Sequence, residues 1–310
     1  MDKIIDPIDK NLLLKELSKE RFCRTTNNGT NEIYIITHKD SPNLMREIGR
    51  LREVTFRDAG GGTGKELDID EYDVAEDAPY KQLIVWSPEA QEIVGGYRYI
   101  KCGEAPIKNG VVQLATTELF TFSKKFMEEY MPYTIELGRS FVTPNFQPSA
   151  TNRKGLFSLD NLWDGLGAIV VDNPEIKYYY GKMTMYLDFN QEARDMILYF
   201  MQYYFPDQQK LVYPIMPCTI NHDMSAFGKL LEGLSYKEGH KILNSHVRAL
   251  GENIPPMFNS YSNLSSTMKF FGTAHNDHFG EVEESGIMVT IADIYETKKE
   301  RHIATYKKGI

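Results

Sequence analysis

The sequence is short of cysteine, short of basic charge and without a long apolar run. Its cysteines are Cys23, Cys102 and Cys218, an odd number, widely spaced and with no C-x-x-C. That fits a reducing compartment better than a disulfide framework. No stretch approaches the ~18 consecutive apolar residues of a membrane span. The first ten residues, MDKIIDPIDK, hold no apolar signal region. The chain therefore reads as cytoplasmic, with peripheral contact to a membrane surface left open. Lys and Arg number 35 against 43 Asp and Glu, a net charge of −8. Such a balance argues against nucleic acid as a partner, because that binding runs on cations neutralising phosphates.

Several chemistries are missing as well. His222-Asp223 and His275 with Asp277 and His278 find no third ligand at a metal-binding spacing, so no metal is expected. No cysteine pairs with a histidine in a nucleophile motif. The glycine-rich stretch 59–65 (AGGGTGK) is not a phosphate loop. It begins with Ala, Glu66 follows its lysine where Ser or Thr belongs, and a helical rather than a strand pattern precedes it. Glycine restrains the backbone little, so this stretch reads as a mobile loop.

What is present is an ordinary globular composition, with 42% apolar and 25% charged residues over 310 positions. Length alone allows one core or two. Asp9 heads a short helical stripe (Leu13, Leu14, Leu17), and 32–37 reads as a strand. Ser41-Pro42 opens a helix over about 43–56 with Leu44, Ile48, Leu51 and Thr55 on one face. Strands near 81–87 and 91–101 form a hairpin, and Gly95-Gly96 suggests a bulge or a close backbone approach. A helix near 123–131, a strand at 133–142, a helix near 155–171 and a strand near 176–186 follow. Helices near 190–204 and 224–250 and a late strand near 287–294 complete the pattern. The order predicts an α/β (α+β) fold with a mixed, mostly antiparallel sheet flanked by helices. With no repeat or clear linker, it reads as one elaborated domain over 1–310, its core at about 30–190 and its extension at about 190–310.

Chemistry concentrates in two places. Residues 66–77 carry seven acids (Glu66, Asp68, Asp70, Glu71, Asp73, Glu76, Asp77) and no Lys or Arg. Extended backbone puts Asp68 and Asp70 on one face. Like charges so close require a cation, whether Arg, a metal or a substrate amine; a solvated acidic loop is the plain alternative. The second place is Glu136-Leu-Gly-Arg139. Ile135, Leu137 and Phe141 alternate toward the core, with Glu136 on the other side. Strict alternation would bury Arg139 among them. Either a bulge at Gly138 returns it beside Glu136, or it is buried against a carboxylate, and the acids near 70 are the obvious supply. A plain buried ion pair is the alternative reading. Arg52 on the preceding helix and Arg98 between Tyr97 and Tyr99 are, taken singly, surface cations lying over apolar neighbours.

In order, Arg52-x-x-x-Phe56, Asp68-x-Asp70-x-x-Asp73, Gly95-Gly96-Tyr97-Arg98 and Glu136-Leu-Gly-Arg139 resemble the acyl-homoserine-lactone synthases. The resemblance is closer still to the hemolysin-like ornithine and glycine N-acyltransferases of the GNAT superfamily. Glu136 to Val142, followed by Leu162-Trp163-Asp164-Gly165-Leu166, carries that likeness, as do Ile254-Pro255-Pro256, Tyr261 and Asp277-His278-Phe279-Gly280. It spans about 45–295. It implies a GNAT-like fold and an acyltransferase that moves a fatty acyl group, with or without a 3-hydroxyl, to the amine of a small amino acid such as glycine or ornithine, in aminolipid synthesis. It implies no permanently bound cofactor, and an acyl-phosphopantetheine thioester on acyl carrier protein, the partner, as donor rather than acyl-CoA. The fragmentary pyrophosphate loop at 152–157 suits a carrier-bound donor.

The resemblance further implies that Glu136, Asp70 and Arg139 are catalytic, and that Arg52, Asp68, Asp73, Arg98 and Ser140 bind substrate. Arg153, Lys154 and Gly155 would meet the donor. Glu136 would be the base, the aspartates would hold the ammonium, and an arginine would take the acceptor carboxylate. A backbone N–H near 138–142 would face the oxyanion. The aromatics Tyr178, Tyr179, Tyr180, Phe200, Tyr203, Tyr204 and Phe205 are candidates for an acyl tunnel or simply core. Lys124 and Lys125 are candidates for a carrier protein surface. Two other readings are a lactone-forming signal synthase and a non-catalytic acyl-binding module on the same fold.

Overall fold

A computed structural model describes residues 1–147 and 157–308. The chain runs through α1 (Lys10–Glu16), β1 (Phe22–Thr25), β2 (Glu32–Ile36), α2 (Pro42–Asp58), β3 (Lys81–Ser87) and β4 (Glu92–Lys101). Short β5 (Ile107–Lys108), β6 (Val111–Val112) and β7 (Phe120–Phe122) precede β8 (Thr134–Val142), α3 (Ser158–Asp172) and β9 (Tyr178–Tyr186). Next come α4 (Gln191–Tyr204), β10 (Val212–Pro214), α5 (Ser225–Leu231), α6 (Tyr236–Ala249) and α7 (Pro256–Ser262). Strands β11 (Lys269–Asn276) and β12 (Val282–Thr290) and helix α8 (Glu296–His302) close the chain. The architecture is mixed α/β, with mostly antiparallel sheet flanked by helices. Among the described residues, no helix is long and apolar enough to cross a membrane.

Two compact units share the chain, each built from separated segments. The first holds Met1–Ala115, Pro132–Lys177 and Tyr295–Ile310; the second holds Thr116–Met131 and Tyr178–Ile294. In the first, an antiparallel sheet runs β1-β2-β3-β4-β8. Its two faces take different helices, and strand alternation shows which. Gln82 of β3 bonds to Arg52 of α2, so α2 covers that face. The next residue, Leu83, points the other way and lies against Gly165 of α3, where a Cβ would stand 2.6 Å from its Cδ1. Any side chain at 165 would push α3 off the sheet. Leu44, Ile48 and Thr55 of α2 are buried as their spacing predicts, whereas Leu51 is only half-buried and Arg52 and Glu53 lie inside.

The second unit carries an antiparallel sheet of β9, β12 and β11 and a β7–β10 pair. Tyr179, Tyr180, Phe200 and Phe205 are core residues there, while Tyr203 is exposed. The single helix expected over 224–250 is two helices. Gly233 takes a left-handed φ of 72°, and Ser235 with Glu238 forms a capping box that starts α6 afresh. Strands β1 and β11 fall where the sequence shows no clean alternation, and the late strand begins at Val282 rather than near 287. Burial pushes the thiols of Cys23 and Cys218 up to about 11 and that of Cys102 well above its usual range. They are therefore thiols, not nucleophilic thiolates, near neutral pH.

Candidate active site

Register in the first unit assembles the site. Gln82 of β3 stands opposite Arg98 of β4, Arg98 opposite Gly138 of β8, and Ile100 opposite Glu136. Residues two apart share a face, so Gln82, Arg98 and Glu136 all point toward the α2 side. From Gly96 to Arg98 the partner strand advances from Phe141 to Gly138, one residue more than β4 does. This is a β-bulge at Arg139-Ser140, and Arg139 adopts a left-handed φ of 48°. For a residue with a Cβ such a conformation is strained, by about 1–2 kcal/mol. The bulge turns Arg139 onto the face where Arg98 lies.

The acids near 70 are laid across α2 in turn. The Asp68 N–H donates to the Gly49 carbonyl at 3.1 Å, and a Cβ at 49 would meet Ile69 at 2.6 Å. Only glycine permits that approach. Asp70 then folds the loop on itself by accepting from the N–H groups of Tyr72 (3.1 Å) and Asp73 (3.2 Å). The preceding glycine-rich loop is tied down rather than loose. Buried Glu53 accepts from Arg57 at 2.6 Å, from the Thr63 hydroxyl at 2.8 Å and from the Gly64 N–H at 2.8 Å. The N-terminal segment follows it, with the Asp2 N–H donating to the Gly64 carbonyl.

Three arginines and three aspartates meet here. Arg52 bonds Asp73 at 3.0 Å and Gln82. Arg98 reaches both oxygens of Asp70 at 2.7 and 2.6 Å, and Asp73 at 3.2 Å. Arg139 lies 2.8 Å from Asp68 and 3.7 Å from Asp70. Gln82 donates to Asp73 at 2.9 Å and to the Tyr80 carbonyl. The side chains of Arg52 and Arg98 are 0% and 3% exposed, against 15% for Arg139 and 21% for Asp70. The formal charges balance, three against three, which is what allows burial of so many ions. Burial pulls the Arg52 guanidinium below its usual range despite Asp73 and Asp68. Around Arg98 the same pull is outweighed by Asp73, Asp70 and Tyr80, which hold it well above.

Glu136 is buried beside this network. Facing the same side as Arg98, it is closed in by Tyr80, whose hydroxyl donates to Oε1 at 2.7 Å. Half-buried Ser140 follows Arg139 in the bulge. Arg153, Lys154 and Gly155 lie outside the described residues. Tyr80 and Gln82 are site residues that the sequence reading passed over. The one cue was a glutamine in an otherwise apolar strand (KQLIVWS). Among the described residues, no group of three or more His, Cys, Asp or Glu is disposed to hold a metal ion.

Asp70 carries a pH prediction. Burial alone would raise its pKa, but Arg98 and Arg139 outweigh it and hold the carboxyl well below the usual range. A depressed folded value means that the unfolded chain takes up the proton first as pH falls. The stabilisation is thus complete above the ordinary aspartate value of about 3.9 and fades below it. In urea melts, Asp70→Asn should be clearly less stable than wild type at pH 6, with the difference shrinking by pH 3. A constant difference would show that the charge contributes nothing.

Residues 51–154 match the family described as "Acetyltransferase (GNAT) domain". That span contains every member of the network from Arg52 to Arg139. The chain is 55% identical over 313 residues to glycine N(alpha)-acyltransferase of Phocaeicola vulgatus, covering 99% of this chain and 94% of that protein. It is 52% identical over 307 residues to the protein of the same name in Bacteroides thetaiotaomicron, covering 99% and 91%. Among solved structures, the CoA-dependent acyl-homoserine lactone synthase BjaI, with SAM and isopentyl-CoA, is similar over 89% of this chain and 90% of that one, at 12% identity and a TM-score of 0.39. The chain is an acyltransferase with a GNAT domain and belongs to the family of these two glycine N(alpha)-acyltransferases.

Proposed function

We propose that this enzyme transfers a fatty acyl group from a phosphopantetheine thioester on acyl carrier protein to the amine of glycine. The product, an N-acyl amino acid, would enter aminolipid synthesis, as in the hemolysin-like acyltransferases that the sequence resembles. The names of the two relatives support the acceptor. One observation supports the way it is held: Asp70 and Arg139, opposite in charge and adjacent, are the members of the ion network with most surface. A zwitterion needs such a pair, with its ammonium on Asp70 and its carboxylate on Arg139. Buried Arg52 and Arg98 then act from behind, both holding Asp73 while Arg98 also grips Asp70.

Glu136 takes a proton from the ammonium, directly or through water, and the neutral amine attacks the thioester carbonyl. The C–N bond forms first and gives a tetrahedral oxyanion; its collapse breaks the C–S bond, and the second proton that the nitrogen sheds passes to the departing thiolate. We assign the oxyanion to a backbone N–H at the β8 bulge, where the ladder with β4 is interrupted.

The test is thioester consumption by the purified protein with acyl carrier protein or CoA as the thiol and with glycine, ornithine or glycinamide as acceptor. Glycine should be acylated and glycinamide, which lacks the carboxylate, much more slowly. Arg139→Lys retains a cation for buried Asp68 but loses the planar fork. It should raise KM for glycine about 10- to 100-fold and leave glycinamide little changed. Equal effects on both acceptors would remove Arg139 from the carboxylate role. Turnover with ornithine but not glycine would overturn the acceptor.

A further inference from the structure

Tyr80 is fully buried at the entrance to β3, and its hydroxyl is committed on both sides. It accepts from the Ala115 N–H at 3.0 Å and donates to Glu136 Oε1 at 2.7 Å. A hydroxyl has one proton, so with the N–H occupying a lone pair that proton points at the carboxylate. The ring is held as firmly as the hydroxyl. Arg98 lies over it at 5.1 Å, and Tyr72 meets its edge at 5.8 Å and 70°. Its backbone N–H donates to the Tyr72 carbonyl at 2.9 Å, and its own carbonyl accepts from Gln82 at 3.2 Å. Burial and the neighbouring carboxylate raise the hydroxyl well above its usual acidity range, so it stays a donor and is not itself a base. Asp70 and Asp73 take their hydrogen bonds from arginines, Gln82 and backbone groups, whereas this hydroxyl donates to Glu136.

We infer that Tyr80 is a positioning residue: it fixes the plane of the Glu136 carboxylate and, by donating to it, favours the charged form that takes the acceptor's proton. The inference rests on the reading of Glu136 as the base. A hydrogen bond donated to a carboxylate favours its charged form, and removing the donor raises the pH at which the carboxylate protonates. The same tyrosine ties Glu136 to Arg98 through its ring, so the base and the acid–arginine network share one rigid support.

The experiment measures kcat against pH with a fatty acyl thioester and glycine, for wild type, Tyr80→Phe, Glu136→Gln and the double variant. Tyr80→Phe keeps the ring and loses only the hydroxyl. It should lower kcat about tenfold or more, move the acid limb up by about one pH unit, and leave KM for glycine within about twofold. The double variant should be no slower than Glu136→Gln alone, because Tyr80 acts through Glu136. An inactive Glu136→Gln with an unmoved acid limb in Tyr80→Phe sinks this inference alone. A fully active Glu136→Gln removes the base reading and this one with it. Independently of any change at Tyr80, wild type should show by NMR a slowly exchanging tyrosine hydroxyl proton that shifts in Glu136→Gln. Its absence would overturn the bond on which the inference stands.

Discussion

Glu136→Gln is expected to lower kcat by about 10²- to 10⁴-fold, the range of a general base, while the protein remains folded. The substitution is nearly isosteric, and the amide oxygen can still accept from Tyr80, so the packing around it survives. What it loses is the ability to take a proton. Glycine's amine is protonated near neutral pH, and without a base only the small neutral fraction can attack the thioester. The deficit should therefore shrink as pH rises toward the amine's own pKa, which a loss of structure would not reproduce. Single-turnover acyl transfer from pH 6 to 10, with a thermal melt of each protein, makes the measurement. A loss under about threefold at pH 7 would place the base elsewhere.

Arg52→Met is expected to be costly in stability rather than in chemistry alone. Arg52 is completely enclosed, bonded to Asp73 and Gln82 and 3.5 Å from the Asp68 carbonyl, while its Nε has no hydrogen-bond partner among the described residues. Removing it leaves three aspartates against two arginines in a largely buried place. Breaking a buried pair from one side costs about 3–5 kcal/mol, which corresponds to a Tm lower by about 5–8 °C for a chain of this size. Methionine keeps the length of the arginine's apolar stem, so the cost lies in the uncompensated charge. Arg52→Met with Asp73→Asn restores two against two and should be more stable than Arg52→Met alone. A double variant worse than the single would mean that Arg52 stabilises through shape, not charge.

Much of the fold was legible in local pattern. The helix at 42–58, the hairpin strands at 81–87 and 92–101 and the strand at 134–142 fall within a few residues of where periodicity and Ser41-Pro42 put them. Gly95-Gly96 does sit at a bulge, on the β4 side of the pairing with β3. Less legible were Phe22–Thr25 and Lys269–Asn276, whose pairing partners supply the order that their own residues do not signal. For the site, residue types and order were enough to name the acids and arginines as one set. Glu136, by contrast, was expected on the side away from the core, yet it is buried together with Ile135, Leu137 and Phe141. A strand covered by helices on both faces has no solvent side, and alternation cannot tell that case from a half-exposed strand.

The sequence by itself determined most of the elements, the −8 balance and the composition of the polar cluster, because these depend on residue identity and on neighbours within a few positions. Only the tertiary structure decided which acid meets which arginine, that Arg139 turns through a left-handed bulge, that Glu53 holds the glycine-rich loop, and that Tyr80 and Gln82 join the site. Those outcomes depend on where a segment of more than twenty residues between α2 and β3 comes to rest. That path is selected by the gap at Gly49 and by the need to neutralise every buried charge, conditions that exist only once distant strands have paired.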